Sequence, residues 1–141
     1  AMDLDQDVGL AVAGKTGKTD YFTGMSGQFR AAGLALAEAL SRLPKRPLHL
    51  ICGMLNTKDI AGYLAPLAPL VTSFQGVSIP GEAATLPAAK TVAAAVRAGM
   101  RAHVAADVLT AVSHVAKIDS SARILICGSL YLAGNVLREN G

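Results

Sequence analysis

Three polar side chains stand just past the ends of apolar runs, and two of them are suited to recognising an anion. Ser129 comes directly after Arg123-Ile124-Leu125-Ile126-Cys127-Gly128. A serine hydroxyl and the free backbone N–H groups that open a following helix can hold a carboxylate; the same arrangement is also a plain helix cap. The residues alone leave both roles open. Tyr131, two positions on, is either a pocket wall or ordinary packing. Lys58 follows the run Leu48-His49-Leu50-Ile51-Cys52 and its glycine, and its ammonium suits a phosphate or a substrate carboxylate. Asp59 beside it reads as the cap of the next helix rather than as chemistry.

Other chemistries find less support. Gly14-Lys15-Thr16-Gly17-Lys18-Thr19 has the flavour of a phosphate-binding loop. Such a loop needs a glycine five positions before its Gly-Lys pair, so that backbone N–H groups can wrap the phosphates, and that position is Val12. A flexible basic loop is the expectation. His49, His103 and His114 fall on different predicted elements with no ligand spacing, and no Ser-His-Asp or Cys-His arrangement can be argued from the order of residues. Cys52 and Cys127 each end an apolar run, as neighbours in one sheet or simply as buried, protonated thiols. No metal ligand set is predicted. Asp119 and Glu139 read as solvated charges.

The elements that must position these residues follow from hydrophobic pattern and breakers. Asp20-Tyr21-Phe22-Thr23 suggests a short strand. Arg30 to Leu43 predicts a helix with Leu34, Ala37, Leu40 and Leu43 on one face. Pro44 and Pro47 break it before a buried strand, Leu48–Cys52. A short helix from Asp59 is curtailed by Pro66 and Pro69. A strand lies within Val71–Ile79, and Pro87 opens a helix that stops at Gly99. His103-Val104-Ala105 is a short strand, and Asp107 caps a helix carrying Val108, Val112 and Val115 on one side. The strand Arg123–Cys127 and a last helix, Leu130 to Asn140, complete the chain. Strands alternating with helices across short links predict a parallel sheet covered by helices on both faces.

Composition bounds the rest. The 141 residues fit one domain; at 52% hydrophobic and 16% charged they can build a core and are not a disordered chain. Aromatics are 4% and tryptophan is absent, which argues against a base-stacking nucleic-acid surface. The net charge of +3 is scattered, and Lys45-Arg46 between two prolines reads as a solvated loop. No membrane partner is expected, since no run approaches the roughly 20 apolar residues of a span. Neither a secretory signal nor a disulfide framework is evident, so a cytoplasmic setting is expected. Ala1 before Met2 suggests a scar at the start of an excised fragment.

Three segments, in order, resemble one family. Leu50-Ile51-Cys52-Gly53-Met54-Leu55-Asn56-Thr57-Lys58-Asp59 resembles the G-M-L-x-x-K-D segment of folylpolyglutamate synthase/dihydrofolate synthase. Ile79-Pro80-Gly81-Glu82 resembles the segment after that family's next strand. Ile124-Leu125-Ile126-Cys127-Gly128-Ser129-Leu130-Tyr131-Leu132-Ala133-Gly134 resembles its C-terminal L-I-C-G-S-L-Y-L-A-G. The resemblance covers residues 31–141 and only the C-terminal domain, a type shared with the Mur peptide ligases. It implies a three-layer, Rossmann-like α/β domain with a mostly parallel sheet. In that family the whole enzyme joins glutamate to a folate or dihydropteroate carboxylate through an acyl phosphate, using ATP and magnesium. The resemblance therefore implies an N-terminal ATPase domain as partner, glutamate and folate as substrates, and no cofactor held tightly by this fragment alone. It brings Ser129 near the incoming glutamate or its pocket, and Tyr131 and Lys58 stand beside it as the other substrate-binding candidates.

Residues 1–30 depart from the pattern. The family carries D-G-G-H-N-P before the A-A-G that opens its first helix; here Met25-Ser26-Gly27-Gln28-Phe29-Arg30 precedes Ala31-Ala32-Gly33. In register, Met25 stands for the aspartate and Gln28 for the histidine associated with the nucleotide. Glutamine can hydrogen-bond but cannot shuttle a proton. Gln28 is thus a nucleotide-side candidate with reduced chemistry. The alternative reading is a non-catalytic small-molecule binding module derived from the ligase domain.

Overall fold

The computed structural model describes residues 11–16, 19–23, 30–56 and 59–128. In chain order the elements are β1 (Ala11–Thr16), β2 (Thr19–Thr23), α1 (Arg30–Ser41), β3 (Leu48–Gly53), α2 (Ile60–Leu64), β4 (Ser73–Gly76), α3 (Ala88–Arg97), β5 (Ala102–Val104), α4 (Val108–Ile118) and β6 (Arg123–Gly128), with a 3₁₀ turn at Ala68–Leu70 before β4. The strands form one sheet in the order β1-β2-β6-β3-β4-β5. Every neighbouring pair is parallel except β1–β2, an antiparallel pair at one edge.

The topology follows from handedness. From β2 the chain steps through β3 and β4 to β5 in one direction, with α1, α2 and α3 packed on one face. It then returns through α4, on the other face, to place β6 between β2 and β3. Right-handed crossovers require this change of face when the direction reverses. β3 and β6 are buried along their whole length, and apart from His49 and Arg123 at their amino ends their side chains are apolar on both sides. Leu48, Leu50, Cys52, Leu125 and Cys127 face α1–α3, while Ile51, Ile124 and Ile126 face α4. α4 meets them with Val108, Ala111, Val112 and Val115, one side of the helix as its spacing predicts. Each fully buried valine there contributes on the order of 1.5–3 kcal/mol.

Three expectations need correction. α1 buries Ala32, Leu36, Ala39 and Leu40, and Leu34 is 49% exposed. The buried set follows the i, i+4, i+7, i+8 spacing, whereas a set spaced by threes drifts round the helix. Small residues on this face let the helices approach closely: a Cβ on Gly33 would lie 2.2 Å from the Tyr63 carbonyl oxygen. Gly14–Thr19 is not the flexible loop expected: Gly14–Thr16 ends β1 and Thr19 opens β2, and the two strands pair with Thr16 opposite Thr19. A phosphate loop requires a helix where β2 stands. Arg46 is not merely solvated: its Nε donates to the Ser121 carbonyl at 2.9 Å and its Nη2 to that of Ala122 at 3.2 Å, tying the Pro44–Pro47 link to the start of β6.

Candidate functional site

The carboxyl ends of β3 and β6 lie side by side at the middle of the sheet. Cys52 pairs with Cys127 and Gly53 with Gly128. Both thiols are buried and free, and the Cys52 thiol is held well above its ordinary range by its hydrogen bond to Cys127 and by burial. They are inert packing, as their apolar runs suggest. Gly128 has φ +115°, and a Cβ there would meet the Gly53 carbonyl oxygen at 2.2 Å. Only glycine lets β6 end this close to its neighbour.

The chain beyond β3 forms the adjoining rim. The Leu86 N–H donates to the Met54 carbonyl at 2.7 Å and the Asn56 N–H to that of Ala84 at 3.0 Å. Leu55 bridges Thr85 between these bonds. The Thr85 hydroxyl oxygen accepts from the Ile79 N–H at 2.7 Å, and Glu82 Oε1 accepts from the Ala84 N–H at 3.2 Å. Two of the three segments that carry the family resemblance, 50–59 and 79–82, are thereby brought together, and β6 brings the third alongside. Asp59 caps α2, its Oδ1 accepting from the Gly62 N–H at 2.9 Å. Asp107 caps α4 in the same way through Thr110 at 2.7 Å. The candidate residues Ser129, Tyr131, Lys58 and Gln28 lie outside the described residues, as does the predicted last helix. In sequence, Ser129 follows Gly128 directly and Lys58 follows Asn56 by two residues.

The amino end of the sheet holds two arrangements that the order of residues does not reveal. His49, 3% exposed at the start of β3, has Nδ1 2.5 Å from Ser73 Oγ and Nε2 3.2 Å from Asp119 Oδ2. Serine, histidine and carboxylate do come together, contrary to expectation. The serine is buried on β4, however, and neither described cavity is lined by it. The trio ties β3, β4 and the α4–β6 turn rather than presenting a nucleophile. Asp119 is thus a partly exposed charge with fixed partners; the Ser121 hydroxyl above all holds its carboxyl below the usual range, burial opposes this, and His49 and the Ser121 N–H add to the lowering. The second arrangement pairs Arg123, at the start of β6, with Arg46. Burial first, then the neighbouring Arg46, lowers the proton affinity of the Arg123 guanidinium, which still remains charged.

Among the described residues no group of three His, Cys, Asp or Glu side chains is placed to hold a metal ion, and no helix is long and apolar enough to cross a membrane.

Fold and rim define a three-layer, Rossmann-like α/β domain, the class in which ligands bind outside the carboxyl ends of parallel strands. Solved structures sharing this fold include folylpolyglutamate synthases. Against the Mycobacterium tuberculosis folylpolyglutamate synthase complexed with ADP, the TM-score is 0.77 at 22% identity over 85% of this chain and 29% of that one. Against E. coli FolC in complex with DHPP and ADP, it is 0.73 at 22% identity over 89% and 29%. Against a bifunctional folylpolyglutamate synthase/dihydrofolate synthase with Mn, AMPPNP and L-glutamate bound, it is 0.74 at 22% identity over 92% and 30%. The chain thus spans less than a third of the length of these enzymes while matching them over most of its own. No protein-family model matches the sequence, and comparison with curated protein sequences finds no significant match.

Proposed function

We propose that this chain is the C-terminal domain of an ATP-dependent ligase that adds glutamate to a folate or dihydropteroate carboxylate, with residues 31–141 as the ligase-type unit and 1–30 as an atypical lead. The observation that carries this reading is the coincidence of two independent likenesses. The fold matches one third or less of folylpolyglutamate synthases, and the described parts of the three sequence segments resembling that family lie at the carboxyl ends of β3 and β6. In the whole enzyme ATP and magnesium would supply activation of the carboxylate as an acyl phosphate. Both are assigned to the N-terminal ATPase partner, as the family resemblance implies. This domain's part is orientation: Ser129 and Tyr131 past the end of β6, with Lys58 past the end of β3, fix the glutamate so that its amine meets the activated carbonyl. Gln28 stands on the nucleotide side. Buried free thiols at Cys52 and Cys127 fit a reducing, cytoplasmic setting.

The Met25–Arg30 departure favours a second reading, a binding module that has lost catalysis. A hybrid enzyme separates the two. The matching piece of E. coli FolC is replaced by this chain, and ATP-dependent glutamate incorporation is measured with and without Met25→Asp and Gln28→His. Incorporation, with or without the two substitutions, supports the ligase reading. A folded hybrid that binds glutamate yet never incorporates it supports the module. The isolated chain is expected to show no glutamate-dependent ATP hydrolysis.

A further inference from the structure

A cavity of about 520 Å³ opens at the amino end of the sheet, opposite the proposed glutamate edge. Its lining combines apolar side chains, Leu40, Leu43, Pro69 and Leu70, with the cationic Lys45, Arg46 and Arg123. Arg123 is only 5% exposed. Its Nη1 donates to the Pro44 carbonyl at 2.9 Å, but its Nε is buried with no hydrogen-bond partner. Arg46 uses Nε and Nη2 on the carbonyls of Ser121 and Ala122, and its Nη1 makes no hydrogen bond to a described residue. Among the described residues neither guanidinium is matched by a carboxylate; the ion pairs run from Arg42 to Glu38 and from His49 to Asp119. Two adjacent guanidiniums, one of them buried, repel each other and are costly unless a counter-charge lies nearby.

We propose that this cavity binds a small molecule bearing an oxyanion, phosphate or carboxylate, on an apolar body. The two guanidiniums and Lys45 receive the oxyanion through charge-assisted hydrogen bonds, and the leucine and proline side chains receive the remainder. This site is separate from the glutamate edge, and its existence does not depend on the ligase reading.

The test is thermal melting of the chain in inorganic phosphate, in acetate, and in chloride at equal ionic strength. Phosphate or acetate is expected to raise the melting temperature beyond chloride, and the more effective of the two identifies the oxyanion class. Arg46→Gln, on the exposed link, weakens the response about tenfold or more, the scale of losing one charge-assisted hydrogen bond. Arg123→Met keeps the stem and removes the charge; it abolishes the response and raises the melting temperature without added anion, since an uncompensated buried charge is gone. If Arg123→Met fails to fold, Arg46→Gln decides alone. A phosphate and acetate response no greater than chloride, or one unchanged in Arg46→Gln, overturns the proposal.

Discussion

Replacing Gly128 with alanine tests the junction on which the carboxyl edge is built. The cost has two parts, and three glycines with positive φ separate them. At Gly81 (φ +72°) and Gly99 (φ +95°) an added Cβ meets nothing within 4 Å, so alanine there suffers only backbone strain, roughly 1–2 kcal/mol. At Gly128 (φ +115°) the same strain is joined by contacts of 2.2 Å to the Gly53 carbonyl oxygen and 3.3 Å to Cys52 Sγ. Ordinary contact begins near 3.4 Å, so β3 and β6 must part by about 1 Å where Cys52 and Cys127 are buried between them. Overpacking of that kind adds about 1–3 kcal/mol, for a total of roughly 2–5 kcal/mol. At about 3–4 °C per kcal/mol for a domain of this size, the melting temperature falls by roughly 6–20 °C. Differential scanning calorimetry of Gly128→Ala beside Gly81→Ala and Gly99→Ala reads the difference directly. A Gly128→Ala protein no less stable than the other two refutes the close approach of the strand ends.

Other outcomes follow from the same geometry. Gly33→Ala improves helix propensity by about 1 kcal/mol, yet its Cβ would sit 2.2 Å from the Tyr63 carbonyl oxygen; urea unfolding is expected to show a net loss of about 1–2 kcal/mol. Asp119 has a lowered folded pKa, so its contribution is present above its ordinary value of 3.8 and is lost as the pH falls through the lower folded value. Urea midpoints measured from pH 5 to pH 2 should therefore fall less steeply in Asp119→Asn than in the parent chain. The Cys52 thiol, buried and raised in pKa, should resist iodoacetamide at pH 8 in the native chain and react on unfolding; prompt native labelling would contradict the packing.

Much of this architecture is written in apolar runs and breakers. β3 and β6 are legible because strands buried on both faces lack polar alternation, and α4 because its three valines share one side. Asp59 and Asp107 announce their helices by capping chemistry. α1 is legible as a helix but not in its orientation, since alanines carry its buried face and leave the larger Leu34 outside. β1 is obscure because an antiparallel edge strand containing Gly14 shows only a marginal apolar run. The candidate edge is legible through its glycines and family segments. The amino-end groups are not, because His49 meets partners 24 and 70 residues away, and Arg46 meets carbonyls 75 and 76 residues away. Such contacts are made by strand order alone.

The proposed reception of glutamate past the end of β6 is open to calorimetric titration of L-glutamate into the chain with ATP and a folate present. A binding heat is expected that disappears in Ser129→Ala and persists in Arg46→Gln. No glutamate heat in the folded chain, or heat that Ser129→Ala leaves intact, would contradict it.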